Sequence, residues 1–156
     1  MSIVIVVEIS LVVSFSGLFK MTKKEEALFR AAKSVAELSD HKQYKIGAVV
    51  VLKHRIISSG FNKCTKTHPL QKKYNKYRFT EDSVHTCHAE LSALLPLIKD
   101  GIDLSDASIF VHRSHKNGTL ACARPCKSCM KLIKDFGIKR CFYTTENGYA
   151  REDLKL

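Results

Sequence analysis

The chain predicts the α/β class: a mixed sheet of four to five strands covered by helices on both faces. Three observations carry that prediction. A segment of helical period opens the regular part of the chain, two β-branched runs separated by two residues follow it, and helical and strand-like segments alternate thereafter. At 156 residues and 45% hydrophobic content the chain can bury one ordinary core, so one domain is expected.

Residues 1–20 read differently from the rest. Residues 3–7 and 11–13 are β-branched apolar runs interrupted by Glu8, with no basic residue before Lys20. A secretory signal places positive charge ahead of its apolar region, and a membrane span rarely holds a carboxylate in so short a stretch. The expectation is therefore that residues 1–20 are an apolar extension outside the fold, with Met21 as the true start and 21–156 as the domain. A signal anchor is the alternative.

From Thr22 the pattern becomes helical. Thr22 can cap, Glu25 follows three residues later, and Ala27, Leu28, Ala31, Ala32, Val35, Ala36 and Leu38 recur at helical spacing, which predicts an amphipathic helix over 23–38. The apolar run 46–52 predicts a buried strand, Lys53 and His54 a turn, and 55–60 the hairpin partner, ending at Gly60-Phe61-Asn62. Asn62 alone reads as a turn residue, or as an amide facing a pocket.

Between residues 41 and 80 every charged side chain is Lys or Arg, and the densest part, 63–78, interleaves the bases with Tyr74 and Tyr77. Such a run reads first as a solvated face on a long loop. Close to a site it could instead hold a phosphate, or follow a single strand of nucleic acid whose bases stack on the aromatics.

A helix over 88–98 follows, with Leu91, Leu94, Leu95 and Ile98 on its buried side and Pro96 bending or shortening it. Residues 99–101 turn, 107–111 form a core strand, and 115–118 turn again before a stretch leading into Pro125. Residues 126–136 predict a second short helix closed by Gly137, and 138–143 the next strand. The tail from Thr144 leaves little room for a fifth strand and less for a further helix.

The formal net charge of +11 points to an anionic partner, a nucleotide phosphate or a polynucleotide. Six cysteines in this setting argue for a reducing compartment, hence the cytoplasm, and against a disulfide framework. No membrane partner is expected. Assembly into a homo-oligomer stays open.

The chemistry lies in two separated stretches, Cys87-His88-Ala89-Glu90 and Pro125-Cys126-Lys127-Ser128-Cys129. One imidazole, two thiols and one carboxylate are what a catalytic zinc with an open coordination position needs. If Pro125 opens a helix, Cys126 and Cys129 project from one face of its first turn, where the positive end of the dipole favours thiolates. His88 supplies the third ligand. Two thiolates cancel the charge of Zn²⁺, so a coordinated water is less acidified than at an all-histidine site and needs a base, the role given to Glu90. A lone C-x-x-C also serves structural zinc knuckles and redox pairs, which leaves a zinc-stabilised nucleic-acid-binding module without catalysis as a competing reading. Cys64, His68, His85 and Cys87 offer four ligands for a second, structural zinc, against free cysteines and loop histidines. Arg124, beside the metal loop, either binds a phosphate or caps structure. His41, His54, His112 and His115 read as surface or strand-end residues.

The order H-x-E…P-C-x-x-C is the signature of zinc deaminases. With residues 47–51, Gly60-Phe61-Asn62, His88-Ala89-Glu90 and 125–139 as successive landmarks, the chain resembles the cytidine and deoxycytidylate deaminase superfamily from Met21 to about Gly148. The last landmark is closer to the deoxycytidylate branch than to tRNA adenosine deaminases. Residues 66–71 and 123–126 are similar to deaminase-like proteins of phages and bacteria. The resemblance implies a three-layer α/β/α cytidine-deaminase-like fold, zinc on His88, Cys126 and Cys129, and Glu90 as proton shuttle. It also implies the Ala89 backbone near the base and Asn62 on the sugar. The implied reaction is hydrolytic deamination of a cytosine nucleotide, dCMP to dUMP with ammonia release. A deaminase acting on single-stranded nucleic acid or tRNA is the alternative.

Overall fold

The computed structural model describes residues 21–78 and 86–155 in full, and the backbone of residues 3–8, 12–14 and 17–19. Three short strands come first, β1 (Ile3–Glu8), β2 (Val12–Ser14) and β3 (Gly17–Phe19). Thr22 then starts the first helix as its sequence predicts. Its hydroxyl accepts from the Glu25 N–H at 3.1 Å while the Glu25 carboxylate accepts from the Thr22 N–H at 3.0 Å, a complete capping box. This helix, α1 (Lys23–Ala36), ends before Leu38, which is exposed.

The predicted hairpin is β4 (Ile46–Leu52) and β5 (Arg55–Phe61). Lys53 and His54 both have positive φ, 47° and 67°, the backbone form whose twist matches the flanking strands. Next come α2 (Pro69–Asn75), α3 (Ala89–Lys99) and β6 (Ser108–Arg113). The chain closes with α4 (Lys127–Asp135), β7 (Arg140–Thr145) and β8 (Gly148–Asp153). Pro96 lies inside α3 without ending it, on the helix's exposed side.

The sheet runs β3-β2-β1-β8-β7-β6-β4-β5. β6 and β7 are parallel, as α4 makes the crossover between them, and the other pairs are antiparallel. Strand alternation sends Val49, Val51, Phe110 and Phe142 to one face, against Phe29 and Ala32 of α1. Ala48, Val50, Ile109, Val111 and Cys141 point to the other face, where Leu91 and Leu94 of α3 meet Leu132 and Ile133 of α4. The result is the expected α/β/α layering around five strands, β8-β7-β6-β4-β5. β1 pairs with β8 from Ile3↔Asp153 to Glu8↔Gly148, so the first strands add outside that five-strand unit.

Two glycines let the helices approach the sheet. A Cβ on Gly47 would lie 2.1 Å from the Ala32 carbonyl oxygen of α1, and one on Gly60 would lie 2.3 Å from the Ala93 nitrogen of α3. These contacts set how far each helix stands from β4 and β5.

Two elements depart from the sequence expectation. Part of the basic run is a helix rather than loop: α2 has Pro69 at its start, the His68 imidazole accepts from the Leu70 N–H at 3.1 Å, and Gln71 and Tyr74 are buried. The tail does hold a fifth strand. Thr145 pairs with Gly148 across a two-residue Glu146-Asn147 turn, and β8 buries Ala150 and Glu152 on alternate positions. Gly148 belongs to β8, so Asn147-Gly148 is not an Asn-Gly turn in register, and the alternating buried set contains a carboxylate; neither signal announced the strand.

Candidate active site

His88 and Cys126 are each the N-cap residue of a helix, α3 and α4 respectively, with extended backbone (φ −74°, ψ 153° and φ −64°, ψ 168°). Pro125 precedes the cap instead of opening the helix, so Cys126 sits two positions earlier than that expectation and Cys129 occupies the third helical position. The two helix N-termini converge on one face of the sheet. His88 Nδ1 lies 3.5 Å from Cys126 Sγ and 3.3 Å from Cys129 Sγ, and the three donor atoms all lie within 4.8 Å of one another. Tetrahedral zinc, with bonds of about 2.0 Å to nitrogen and 2.3 Å to sulfur, holds such donors roughly 3.5–3.8 Å apart. The donor set and its spacing fit the ion.

The electrostatics agree. The hydrogen bond from Cys129, aided by His88 and Ser128 and opposed by burial, drives the Cys126 thiol down to about 3. The same hydrogen bond, with burial, pushes the Cys129 thiol well above its ordinary value. Two sulfurs of opposed proton affinity, both facing one imidazole, form a donor set from which a divalent cation displaces protons on binding.

Glu90 is at the second position of α3 and is 5% exposed. It stands outside the three-donor group and beside it, close enough for the charges of His88 and Cys126 to act on its carboxyl. Burial raises its proton affinity, with the charge of Cys126 adding to the rise and His88 opposing it. Ala89, between ligand and carboxylate, is fully buried.

The remaining sequence-predicted residues fall elsewhere. The Asn62 amide bridges two backbone groups, accepting from the Ile46 N–H at 2.8 Å and donating to the Tyr44 carbonyl at 2.5 Å, as a structural pin would. Arg124 makes a two-pronged ion pair with the fully buried Glu152, at 3.0 and 2.8 Å, to which the Tyr143 hydroxyl also donates. Cys64 leans on Asp40, which accepts from its N–H at 3.0 Å; His68 is occupied in capping α2; Cys87 is buried and pairs with Lys63 through two backbone bonds. Among the described residues the three donors His88, Cys126 and Cys129 are the one group able to hold a metal, and Cys64, His68 and Cys87 form no second one. His85 lies outside the described residues.

Sequence reasoning passed over Gln71, which accepts from the His88 N–H at 2.9 Å, and Arg78, whose Nη1 lies 3.0 Å from His88 Nε2. Leu70, Gln71 and Tyr74 at helical spacing after a Pro could have flagged the first. His112 is not at a surface: it is 3% exposed, and neither ring nitrogen has a hydrogen-bond partner among the described residues.

The family described as the cytidine and deoxycytidylate deaminase zinc-binding region matches residues 22–145. The deoxycytidylate deaminase of Mycobacterium phage D29 is 27% identical over 136 residues, covering 79% of this chain and 95% of that protein. The apo dCMP deaminase of cyanophage S-TIM5 superposes with a TM-score of 0.58 at 24% identity, over 79% of this chain and 84% of its own. Cytidine deaminase from Burkholderia pseudomallei superposes with a TM-score of 0.56 at 20% identity, over 85% and 91% respectively. The chain belongs to the cytidine and deoxycytidylate deaminase family.

Proposed function

We propose that this chain is a zinc-dependent hydrolase that deaminates a cytosine nucleotide, converting dCMP to dUMP with release of ammonia. The observation that carries the proposal is the meeting of His88, Cys126 and Cys129 at two helix starts with the buried Glu90 carboxyl beside them. The name of the phage D29 relative supports the choice of dCMP. The domain we assign is 21–156, since the family match begins at residue 22 and the strands of residues 1–20 add outside the five-strand unit.

His88, Cys126 and Cys129 would hold the zinc, which when bound supplies the Lewis acidity that makes water nucleophilic at neutral pH. Glu90 takes a proton from the attacking water, delivers it to the ring nitrogen, and assists departure of the amine as ammonia. Its burial suits that work: desolvation raises the proton affinity of this carboxyl, which favours its taking up a proton in the site. The Ala89 backbone, in the first turn of α3 where amide groups are not used by the helix, is assigned to the base. Asn62 and Arg124 we place in the supporting frame, and a substrate contact from Arg124 would use the guanidinium edge that Glu152 leaves open.

A second reading has its own observation. Tyr77 is 39% exposed, with the ammonium groups of Lys76 and Lys131 at 5.1 and 5.8 Å from its ring, a cation-flanked aromatic suited to a stacked base. That favours single-stranded nucleic acid or tRNA as substrate. Ammonia release from dCMP, dCTP, cytidine and cytosine-containing oligonucleotides, measured side by side, decides between them. Turnover of dCMP far above the oligonucleotides supports the nucleotide reading, and the reverse order replaces it. All six cysteines are free and no helix among the described residues is long and apolar enough to cross a membrane, which supports a cytoplasmic site of action.

A further inference from the structure

The start of α3 cannot complete its own cap. The His88 side chain is turned to the two sulfurs and makes no cap hydrogen bond, and the third helical position, whose side chain closes a capping box, is the buried apolar Leu91. The N–H of His88 is nevertheless satisfied. It donates to Gln71 Oε1 at 2.9 Å, and Gln71 is a side chain of a different helix, 2% exposed. Because a backbone N–H only donates, this contact fixes which end of the amide faces His88. The Gln71 Nε2 then donates to Asn75 Oδ1 at 2.8 Å, one turn further along α2.

We propose that Gln71 is a positioning residue for the metal centre: from α2 it supplies the half of the cap that α3 lacks, and so holds His88 Nδ1 where Cys126 and Cys129 meet it. The inference rests on the assignment of His88, Cys126 and Cys129 as zinc ligands. A part-buried N–H left without its acceptor favours local opening of the helix start, and freedom gained by the His88 backbone passes directly to its ring. Loss of an outer partner of a metal ligand typically weakens metal binding by about 10- to 100-fold.

The test is zinc affinity of the full chain, read by competition with a chromophoric chelator, for the wild type, Gln71→Met and Gln71→Glu. Methionine keeps the volume and removes the acceptor, so its zinc binding should weaken by about 10- to 100-fold. Glutamate keeps the acceptor, and Asn75 can turn its amide to donate to it, so this variant should stay within a few-fold of wild type. A Gln71→Met chain that melts lower without zinc yet competes for zinc like the wild type shows a role in packing alone and overturns the inference. Should Gln71→Met fail to fold, hydrogen exchange of the His88 amide in the zinc-loaded wild type decides: slow exchange is expected, and exchange at an open-chain rate overturns the proposal. A wild type that binds no zinc removes the ligand assignment itself and this inference with it. Equal binding by wild type and Gln71→Met removes only the inference.

Discussion

Replacing Arg124 with Ala should destabilise the chain well beyond the ordinary effect of a half-exposed arginine. Its guanidinium is the charged partner of Glu152, a carboxylate with no exposure, which it engages at 3.0 and 2.8 Å. Removing one member of a buried ion pair costs roughly 3–5 kcal/mol. Arg124 is 45% exposed, so water screens part of the attraction, and the Tyr143 hydroxyl remains on the carboxylate. The expected loss is therefore about 2–3 kcal/mol at pH 7. At about 2–4 °C per kcal/mol for a chain of this size, the melting temperature falls by about 4–12 °C. Glu152→Gln, which removes the charge but keeps hydrogen-bonding atoms, should cost about 1–2 kcal/mol. Combined with Arg124→Ala it should cost less than the two effects added, because the charge that Arg124 engages is gone. Urea unfolding of the four proteins supplies the cycle. An Arg124→Ala variant within about 0.5 kcal/mol of wild type, or additive losses, would refute the argument.

Further outcomes follow from other parts of the structure. Burial, with the nearby charge of Lys33, lowers the proton affinity of His112 from its ordinary 6.5 to about 4. The unfolded chain therefore binds the extra proton between those values, so stability falls as pH drops from 6.5 toward 4, by an amount on the order of 2–3 kcal/mol for this group. Unfolding curves at pH 7 and pH 4.5 should show a smaller acid loss in His112→Leu than in wild type; equal losses would contradict the burial argument. Gly60→Ala drives a Cβ into the α3 backbone at 2.3 Å, where no side chain can yield, and should cost about 3 kcal/mol with weakened zinc retention because α3 carries His88. A thermally unchanged Gly60→Ala protein would show that α3 can stand further from the sheet. Exhaustive chelation should abolish ammonia release and lower the melting temperature, and added zinc should restore both. Full activity in a chain shown to be metal-free would exclude the zinc reading.

Much of the fold was legible because local and long-range signals agree. Thr22 and Glu25 form the cap their spacing implied, and Lys53-His54 makes the tight turn between two apolar runs. The grouping of His88, Cys126 and Cys129 was equally legible, as such donors are chemically rare and stand at helix starts. What escaped were buried polar groups on otherwise apolar faces. In α2 the exposed Lys72 and Lys73 dominate the composition, and Gln71 on the inner face finds its acceptor role at His88, outside the helix, while its Nε2 is held by Asn75. In β8 the buried Glu152 breaks the alternation that would have announced a strand, and its partner Arg124 lies beyond local view. Asn62 illustrates the opposite case. Its amide serves the backbone of residues 44 and 46, the turn-residue role that the residue alone favoured.

The central claim is that Glu90 moves protons beside a zinc ion it does not hold, and Glu90→Gln tests it most directly. The zinc-loaded variant should keep its metal stoichiometry and melting temperature. Its rate of ammonia release from dCMP should fall by about 10²- to 10⁴-fold, the usual contribution of a positioned acid and base. A variant that deaminates within a few-fold of wild type, or that loses zinc along with activity, would contradict the role assigned to Glu90.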